Sequence, residues 1–507
     1  MTKKRLISLL FFSLFICITS AQTTPPNIIL IIADDLGYSD LSSYGNTSVH
    51  TPNIDGMGKA GIRFTQAYVT SPICAPSRMS IMTGRYQQRF GAEFMLYDKF
   101  ALSVKKTIKR HLFSFKKKSE GISTLKPDFL VNRSKYATDI PVTEITIAQM
   151  LKQKGYATGY VGKWNLSSSP DNFPDQHGFD YNYSFDGALS RYVDDPVDSS
   201  KYINMHLPWA FSELLAWAPR HGSTAIKEGR TEVADTGYLT FSFANKAIDY
   251  IQRNKAHPFF LTLSFNAPHD PFQVPKTYFD RIEGVTDSVK RVYYGMIEAL
   301  DDAVGNVLNK LQQEGISDNT LVFFISDNGG ATYTHATDNA PLLGGKCTHF
   351  EGGISVPFFV QWPFTLPGGQ VYDRAVSSLD IFTSIAAASG ATLASDRIYD
   401  GVDLFSYINS DTALPHDVFF WRNGYAKAFR MGDWKLFLNE KQKIIRLYNI
   451  ATDRAEKYDL AVSQPAKLKE LKDALKNWEK KNAIPALWPS AADVLINVKG
   501  KWYRYPS

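Results

Sequence analysis

Short apolar segments that end abruptly at polar or charged residues recur along this chain. Each is rich in β-branched or aromatic residues and too short for a typical buried helix, which favours strands covered on both faces. Amphipathic helical patterns lie between them, at residues 144–154, 244–254 and 288–313. Strands that alternate with helices indicate an α/β domain with a large, mostly parallel central sheet flanked by helices. The predicted strands cover residues 27–32, 157–162, 258–264 and 321–325.

Oxygen-bearing side chains follow two of these strands. Asp34 and Asp35 come directly after the first strand, and Asp327 and Asn328 follow the last. Ligands of parallel sheets collect at the carboxyl ends of the strands, and neighbouring buried carboxylates repel unless a cation neutralises them. Carboxylate and amide oxygens suit Ca²⁺ or Mg²⁺, whereas zinc prefers His and Cys. Because Asp and Asn also mark turns, the pairs alone leave a metal site and a simple turn as alternatives.

The pattern changes near residue 416 to short strand-like segments separated by turns. These cover residues 418–421, 425–430, 434–438 and 444–448, and an amphipathic helix is predicted at 464–480. The sequence therefore predicts a large domain over residues 22–415. A smaller C-terminal subdomain with an antiparallel sheet and a helix is predicted over residues 416–507.

The N-terminus has the pattern of a secretory signal peptide. Lys3, Lys4 and Arg5 precede an apolar run over residues 6–18, and small residues lead to Ala21. The run is shorter than the roughly 20 residues that a membrane span needs. We therefore expect residues 1–21 to be removed near Ala21 and the protein to be secreted or periplasmic, with no membrane span. A single N-terminal anchor is the alternative.

Charge and cysteine content narrow the function further. The chain has 56 Lys and Arg against 50 Asp and Glu, a mild excess of +6, whereas a nucleic-acid binder shows a stronger or clustered excess. Three cysteines exclude a disulfide scaffold. Cys17 lies in the predicted signal peptide, which leaves Cys74 and Cys347. A disulfide between these two is the alternative to a chemical role for Cys74.

The segment Cys74-Ala-Pro-Ser-Arg78, followed by Thr83-Gly84-Arg85, is the most specific motif. It resembles the maturation motif of type I formylglycine-dependent sulfatases, a family of the alkaline phosphatase superfamily that includes exported bacterial polysaccharide sulfatases. The resemblance extends over most of residues 25–480. Other matching segments lie at residues 33–38, 162–164, 268–272, 326–330, 344–346, 351–353 and 447–460.

The resemblance implies a sulfuric ester hydrolase whose catalytic domain is the large one. Cys74 would be oxidised during export to Cα-formylglycine by a formylglycine-generating or sulfatase-maturating enzyme, and the hydrated aldehyde would be the nucleophile. Ca²⁺, or less favourably Mg²⁺, would be bound by Asp34, Asp35, Asp327, Asn328 and position 74. Arg78 would hold the hydrate, Lys163 and Lys346 would bind sulfate, and His269 would protonate the leaving alcohol.

Two departures from the family pattern concern the site. Asn165 stands where the family has a histidine after Gly-Lys-Trp, and an amide cannot accept a proton at neutral pH. Either another base acts or turnover is slower. Cys347 follows Lys346 where the family commonly has glycine. His349, two residues further on, is a candidate to replace the missing imidazole.

The expected substrate is a sulfated oligo- or polysaccharide. Aromatic residues, which can stack on sugar faces, make up 13% of the chain. Residues 105–118 form a basic, aromatic-interleaved insertion that would attract a polyanion; the alternative is that this insertion is a solvated surface loop. Arg85, His177, Arg191 and His206 are the candidate substrate-binding residues. Two other functions stay open, a phosphonate monoester hydrolase or phosphodiesterase of the same fold and a non-catalytic sulfoglycan-binding protein.

Overall fold

The computed structural model describes residues 25–95, 139–167, 172–194, 198–210, 217, 219–408, 410, 413–483 and 493–506. The predicted signal peptide and the insertion at residues 105–118 lie outside the described residues, so both remain predictions. Of the helices in the described ranges, none has both the length and the apolar character needed to cross a membrane.

Strands and helices alternate along the large domain, as the sequence predicts. The strands are β1 (Asn27–Ala33), β2 (Ile62–Tyr68), β3 (Ala157–Lys163), β4 (Tyr181–Phe185), β5 (Tyr202–Met205), β6 (Lys227–Glu228), β7 (Thr231–Glu232), β8 (Phe259–Ser264), β9 (Phe272–Pro275), β10 (Thr320–Ser326), β11 (Ser355–Gln361), β12 (Gln370–Tyr372), β13 (Val376–Ser377), β14 (Val418–Asn423), β15 (Ala426–Met431), β16 (Trp434–Asn439), β17 (Ile444–Asn449), β18 (Asp493–Val498) and β19 (Lys501–Pro506). The α-helices are α1 (Pro52–Ala60), α2 (Cys74–Thr83), α3 (Ile147–Lys152), α4 (Leu239–Asn254), α5 (Lys276–Arg281), α6 (Ser288–Gln313), α7 (Glu351–Ile354), α8 (Asp380–Ser389), α9 (Phe405–Ile408) and α10 (Pro465–Asn482).

The central sheet has the order β12-β2-β11-β10-β1-β8-β3-β4-β6-β7, with β13 beside β2. Its middle strands, β10, β1, β8, β3 and β4, are parallel, and β11 runs antiparallel to β10 and β2. The four predicted strands are β1, β3, β8 and β10. The predicted fold class, a mostly parallel sheet flanked by helices, is confirmed.

Strand β1 shows why its sequence is apolar without alternation. Successive side chains of a strand point to opposite faces of the sheet. Ile29 and Ile31 pack in the core that contains residues of α4 and α6, whereas Leu30 and Ile32 pack in the core that contains residues of α3 and α8. Because both faces are covered, every residue of β1 is buried.

The register of the middle strands brings their carboxyl ends to one edge of the sheet. Ala33 of β1 pairs with Ser326 of β10, and Gly162 of β3 pairs with Ser264 of β8. A Cβ atom on Gly162 would lie 1.8 Å from the Ser264 carbonyl oxygen, and its φ is 113°. Only glycine fits there, so β3 and β8 stay in close contact up to their ends.

The C-terminal region forms its own antiparallel sheet in the order β14-β15-β16-β17, which confirms the second part of the fold prediction. Leu471 and Leu475 of α10 are buried in an apolar cluster with residues of this sheet. The hairpin β18–β19 was not predicted from the sequence. Its Tyr503 and Tyr505 pack near Phe350 of the large domain, so the hairpin covers the junction of the two regions.

A buried ionic cluster joins the two regions. Lys435 Nζ of β16 lies 2.8 Å from Glu351 Oε1 of α7 and 2.9 Å from Glu456 Oε1, and all three side chains are inaccessible to solvent. Burial raises the pKa of Glu456 to about 7, although Lys435 acts in the opposite direction. Lys435 is the cation shared by both carboxyl groups, and Arg454 Nε also lies 3.8 Å from Glu351 Oε2.

Replacing Lys435 by methionine should lower the free energy of unfolding by about 3–5 kcal/mol, because Glu456 loses its cation and Glu351 loses the nearer of its two. Urea unfolding followed by tryptophan fluorescence measures the change. Lys469→Met is the matched control, since Lys469 pairs with Asp473 on the exposed surface of α10. Equal stabilities of the two variants would contradict a stabilising role for the cluster.

Candidate active site

The carboxyl ends of β1 and β10 bring four oxygen-bearing residues together. The backbone N–H of Asp327 donates to Ala33 O at 3.0 Å, which continues the pairing of the two strands beyond their ends. The backbone N–H of Asp35 then donates to Asp327 Oδ1 at 3.2 Å, and Asn328 Nδ2 donates to Asp35 Oδ1 at 2.7 Å. With Asp34 these residues are almost completely buried. The predicted oxygen cluster is therefore formed at the predicted edge.

Each carboxylate of this cluster has a cationic partner. Lys163 Nζ, at the end of β3, lies 2.6 Å from Asp34 Oδ2, and Lys346 Nζ lies 2.8 Å from Asp35. Burial would raise the pKa of Asp34, but Lys163, His269 and Arg78 outweigh it and the pKa is lowered. Burial would lower the pKa of Lys346, but Asp35 outweighs it, and the pKa lies well above its usual range.

Arg78 completes the charge balance. Its Nε donates to Asp327 Oδ2 at 2.7 Å, and its NH2 lies 3.6 Å from Asp34 Oδ1. Ser264 at the end of β8 orients this side chain, because its hydroxyl accepts from Arg78 and donates to the Lys163 carbonyl at 2.7 Å. Burial still raises the pKa of Asp327 despite Arg78. Ser264 received no role from the sequence, since serine at a strand end carries no specific signal.

Cys74 is the first residue of α2, one helical turn before Arg78, and its side chain is 1% exposed. Burial raises the pKa of its thiol, Lys163 and Lys346 act to lower it, and Asp34 and Asp327 act to raise it. These electrostatic neighbours place Cys74 among the charged groups of the site.

The loop that carries Lys346 lies beside the start of α2. The Cys347 N–H donates to Pro72 O at 2.8 Å, and burial raises the pKa of the Cys347 thiol to about 12. Cys74 and Cys347 are both free thiols, so the alternative disulfide is not formed.

His269 follows β8 and faces the same cluster. Its Nε2 lies 3.6 Å from Asp35 Oδ2. Its Nδ1 is hydrogen-bonded to the Asp270 carbonyl oxygen at 2.5 Å and lies 3.0 Å from Asp270 Oδ1. Burial and Lys346 would lower the pKa of His269, but Asp35, Asp34 and Asp270 outweigh them and raise it. The sequence prediction gave Asp270 no role, although it lies in the Pro-His-Asp-Pro segment. Its contact makes it an orienting partner of the imidazole.

The donor set fits a hard divalent cation. Asp34 Oδ1 and Asn328 Oδ1 are buried acceptors without a hydrogen bond to any described residue. Buried acceptors are normally satisfied, and oxygen atoms of this kind are the ligands that Ca²⁺ and Mg²⁺ prefer. Asp34, Asp35 and His269 each offer a ligand atom within 4.8 Å of the others. Asp34, Asp35, Asp327 and Asn328 are thus the residues that could hold the ion.

Two of the predicted substrate-binding residues, Arg85 and His177, have partners outside the oxygen cluster. Arg85 follows the C-terminal end of α2, about 15 Å from its start by helix geometry, and its Nε lies 3.1 Å from Glu144 Oε2. His177 is inaccessible to solvent, contacts Asn172 and packs on Trp164. Burial lowers the pKa of His177 to about 4. Arg85 therefore forms an ion pair with Glu144, and His177 packs in the protein interior.

His349 does not replace the family histidine. Its ring is inaccessible to solvent, its Nε2 lies 2.9 Å from Asn423 Oδ1 of β14, and it packs near Tyr505 of β19. Burial lowers the pKa of His349 to about 3. The side chain thus faces the C-terminal region, and the hypothesis that it supplies a catalytic imidazole is wrong.

Asn165 lies just beyond β3, two residues after Lys163. Its side chain is 2% exposed, its Oδ1 has no hydrogen bond to a described residue, and its backbone φ is 48°. Asn, Asp and His are the non-glycine residues that tolerate this left-handed conformation best. The backbone is therefore compatible with either the asparagine of this chain or a histidine.

We expect Asn165→His to fold and to keep kcat within about tenfold of the natural value, a difference of roughly 1.4 kcal/mol in barrier height. Thermal unfolding and sulfate-release kinetics check both parts. Asn165→Val is the contrasting variant, because a β-branched residue is strained at this φ and should lower the unfolding temperature. An inactive but folded Asn165→His would assign a positive role to the amide.

The remaining candidates, Arg191 and His206, lie on segments that border His269. Tyr192, next to Arg191, donates its hydroxyl to the carbonyl oxygens of Asn266 at 2.6 Å and His269 at 2.8 Å. His206 follows β5, which pairs with β9 just beyond the His269 segment. Their location agrees with a position at the rim of the site.

Comparisons with known proteins agree with this geometry. The chain matches the Sulfatase family over residues 26–391. It is 31% identical over 419 residues to the N-acetylgalactosamine-6-sulfatase of Rattus norvegicus, covering 82% of this chain and 71% of that protein. The crystal structure of Ps i-CgsB in complex with k-i-k-neocarrahexaose is 30% identical, with a TM-score of 0.75 over 92% of this chain and 95% of that one. The phosphonate monoester hydrolase of Agrobacterium radiobacter shares the fold at 17% identity, with a TM-score of 0.61 over 90% of this chain and 96% of that one.

Proposed function

Because the chain belongs to the sulfatase family and is a sulfuric ester hydrolase, we propose that it is an exported enzyme acting on a sulfated carbohydrate. The observation that carries the proposal is the position of Cys74 at the start of α2, among Lys163, Lys346 and the buried oxygen cluster. Two relatives support a carbohydrate substrate, one named for a sulfated amino sugar and one bound to a neocarrahexaose. The predicted signal peptide supports export, which N-terminal sequencing of the natural protein would test by a start at Gln22.

The proposal includes a formylglycine at position 74 and a calcium ion on Asp34, Asp35, Asp327 and Asn328. When present, the hydrated aldehyde supplies a nucleophilic hydroxyl, and the ion supplies positive charge for the sulfate oxygens. Arg78 is one turn from position 74 and is fixed by Asp327 and Ser264, so it can hold the nucleophile in one orientation.

Lys163 and Lys346 are the proposed sulfate ligands. In the structure they contact Asp34 and Asp35, the same carboxylates that a cation would use. Once those oxygens neutralise a cation, the two ammonium groups are less strongly held by the carboxylates. They can then donate hydrogen bonds to sulfate oxygens, where negative charge develops during the reaction.

His269 is the proposed general acid. Asp270 orients the ring, because both its carbonyl oxygen and its carboxylate lie within contact of Nδ1. Nε2 faces Asp35 at 3.6 Å and is therefore the atom positioned to donate a proton to the leaving alcohol oxygen. Protonation matters because an alkoxide of a sugar is a poor leaving group.

The modification at position 74 has a direct measurement. Conversion of the thiol to an aldehyde lowers the mass of the peptide containing residue 74 by about 18 Da, since CH₂–SH is replaced by CHO. We expect this mass difference in active protein isolated from its natural source. An unmodified Cys74 in such active protein would contradict the formylglycine mechanism.

The substrate class and the two alternative functions are separated by a panel of esters. We expect sulfate release from N-acetylgalactosamine 6-sulfate or a carrageenan oligosaccharide with kcat/KM about 100-fold or more above that for a phosphate diester, about 2.7 kcal/mol of transition-state preference. Faster cleavage of the phosphate diester would favour the phosphonate hydrolase alternative. Binding of the sulfated sugars without any release of sulfate would identify a sulfoglycan-binding protein.

A further inference from the structure

A segment over residues 190–193 is fixed directly to the proposed catalytic loop. Tyr192 donates its hydroxyl to the His269 carbonyl, and the backbone N–H groups of Tyr192 and Val193 both donate to Gln273 Oε1, at 2.8 and 3.2 Å. Asn266 Nδ2 donates to Ser190 O at 3.4 Å. Arg191 is thereby held beside the site by the same contacts that fix its neighbours.

Arg191 and His206 meet on one indole ring. The guanidinium carbon of Arg191 lies 5.9 Å from the centroid of the Trp217 ring, and the His206 ring stacks on Trp217 with centroids 4.0 Å apart. Arg191 is largely buried, and its NH1 lies 3.5 Å from Asp194 Oδ1. His206 is exposed. Trp217 thus brings a guanidinium group and an imidazole ring close together.

A second aromatic pair begins three residues after His206. Trp209 stacks on His335 with centroids 5.4 Å apart and planes 14° apart. His335 ends the turn that contains Tyr333. Tyr333 packs in the apolar cluster that also contains Cys74 and Cys347. The Trp209–His335 pair therefore connects the segment of His206 with the turn that packs beside Cys74.

We propose that Arg191, His206, Trp209 and Trp217 form a subsite for a second sugar residue that carries its own anionic group, next to the residue that loses sulfate. The inference rests on the proposed function. Arginine binds sulfate or carboxylate oxygens through paired N–H donors, and indole faces pack against the C–H faces of a sugar ring. A monosaccharide in the catalytic site would leave this subsite empty, so an anionic oligosaccharide is the substrate it fits.

The test is a binding measurement on Cys74→Ala protein, which cannot turn over. The protein is titrated with k-i-k-neocarrahexaose and with N-acetylgalactosamine 6-sulfate, and binding is followed by calorimetry and tryptophan fluorescence. The quantity compared is the association constant for the oligosaccharide divided by that for the monosaccharide. We expect Arg191→Gln and Trp209→Ala each to lower this ratio about tenfold or more, a loss of roughly 1.4 kcal/mol. Arg191→Gln should also weaken the salt dependence of oligosaccharide binding, and Arg191→Lys should restore it.

Matched controls are Arg230→Gln, which removes an exposed arginine paired with Asp175, and Trp502→Ala on the C-terminal hairpin. Both should leave the ratio unchanged. Trp209→Phe keeps an aromatic face and should retain most of the affinity, which separates stacking from misfolding. An unchanged ratio in folded Arg191→Gln and Trp209→Ala, or no binding of the hexasaccharide at all, would overturn the subsite.

The outcomes also separate the subsite from the proposed function. Arg191-dependent binding without sulfate release from these sugars by natural, matured protein would refute the proposed carbohydrate substrate and keep the subsite. Sulfate release from the monosaccharide together with an Arg191-independent ratio would keep the proposed function and refute the subsite.

Discussion

Cys74→Ala should lower kcat for sulfate ester hydrolysis by about four orders of magnitude or more, the size of effect seen when a catalytic nucleophile is removed. Cys74 is the buried first residue of α2, and no other residue can be converted to the same aldehyde at that place. Alanine keeps the Cβ atom and suits a helix, so the fold should be retained. Sulfate release measured by ion chromatography, together with circular dichroism, checks both expectations.

Cys347→Gly is the matched control for this variant. Cys347 is also a buried free thiol, but its backbone φ is 68°, a left-handed conformation that glycine adopts without strain. We expect this variant to keep kcat within about tenfold of the natural value, because no chemical step is assigned to its thiol. Activity of Cys74→Ala above about one per cent of the natural value would place the nucleophile elsewhere.

Removal of the divalent cation should abolish activity without unfolding the protein. We expect a chelator to lower kcat about a thousandfold or more, since a metal ion contributes several kcal/mol to stabilising charge in the transition state. The unfolding temperature should fall only slightly. Lys163, Lys346 and Arg78 lie 2.6–2.8 Å from Asp34, Asp35 and Asp327, so each of these buried carboxylates has a counter-charge within the protein.

Metal analysis, kinetics and thermal unfolding on the same samples measure this effect. Added Ca²⁺ should restore activity and raise the unfolding temperature with concentration, because it binds the folded state. Mg²⁺ at equal concentration is the control for ion size and should restore less activity. Full activity in protein shown to be metal-free would contradict the calcium proposal.

The strands at the centre of the sheet are predictable because both of their faces are buried. β1 and β10 read as continuous apolar runs, and this pattern is independent of what covers them. β2 and β11 escaped prediction, since Ile62–Tyr68 mixes polar with apolar residues and Ser355–Gln361 contains a proline. Their strand conformation depends on antiparallel pairing with each other across the chain.

The site residues also differ in whether a local pattern or a long-range contact determines their position. Cys74 and Arg78 are four positions apart on one helix, so a local motif contains their relation. His177, Arg85 and His349 are equally polar in the sequence, yet their partners lie outside the oxygen cluster. No short-range pattern distinguishes a buried structural histidine from a ligand, because the difference is set by neighbours from distant segments.

The sequence by itself determined the alternation of strands and helices, the oxygen-bearing residues at two strand ends and the motif at Cys74. Each of these depends on interactions within a few residues, where periodicity and chain geometry are sufficient. Only the tertiary structure decided that Asp35 meets Asn328, 293 positions away, and that Lys346 reaches Asp35 across 311 positions. Those contacts follow from the register of Ala33 with Ser326 and from the burial that forces charges to pair, which are properties of the packed sheet.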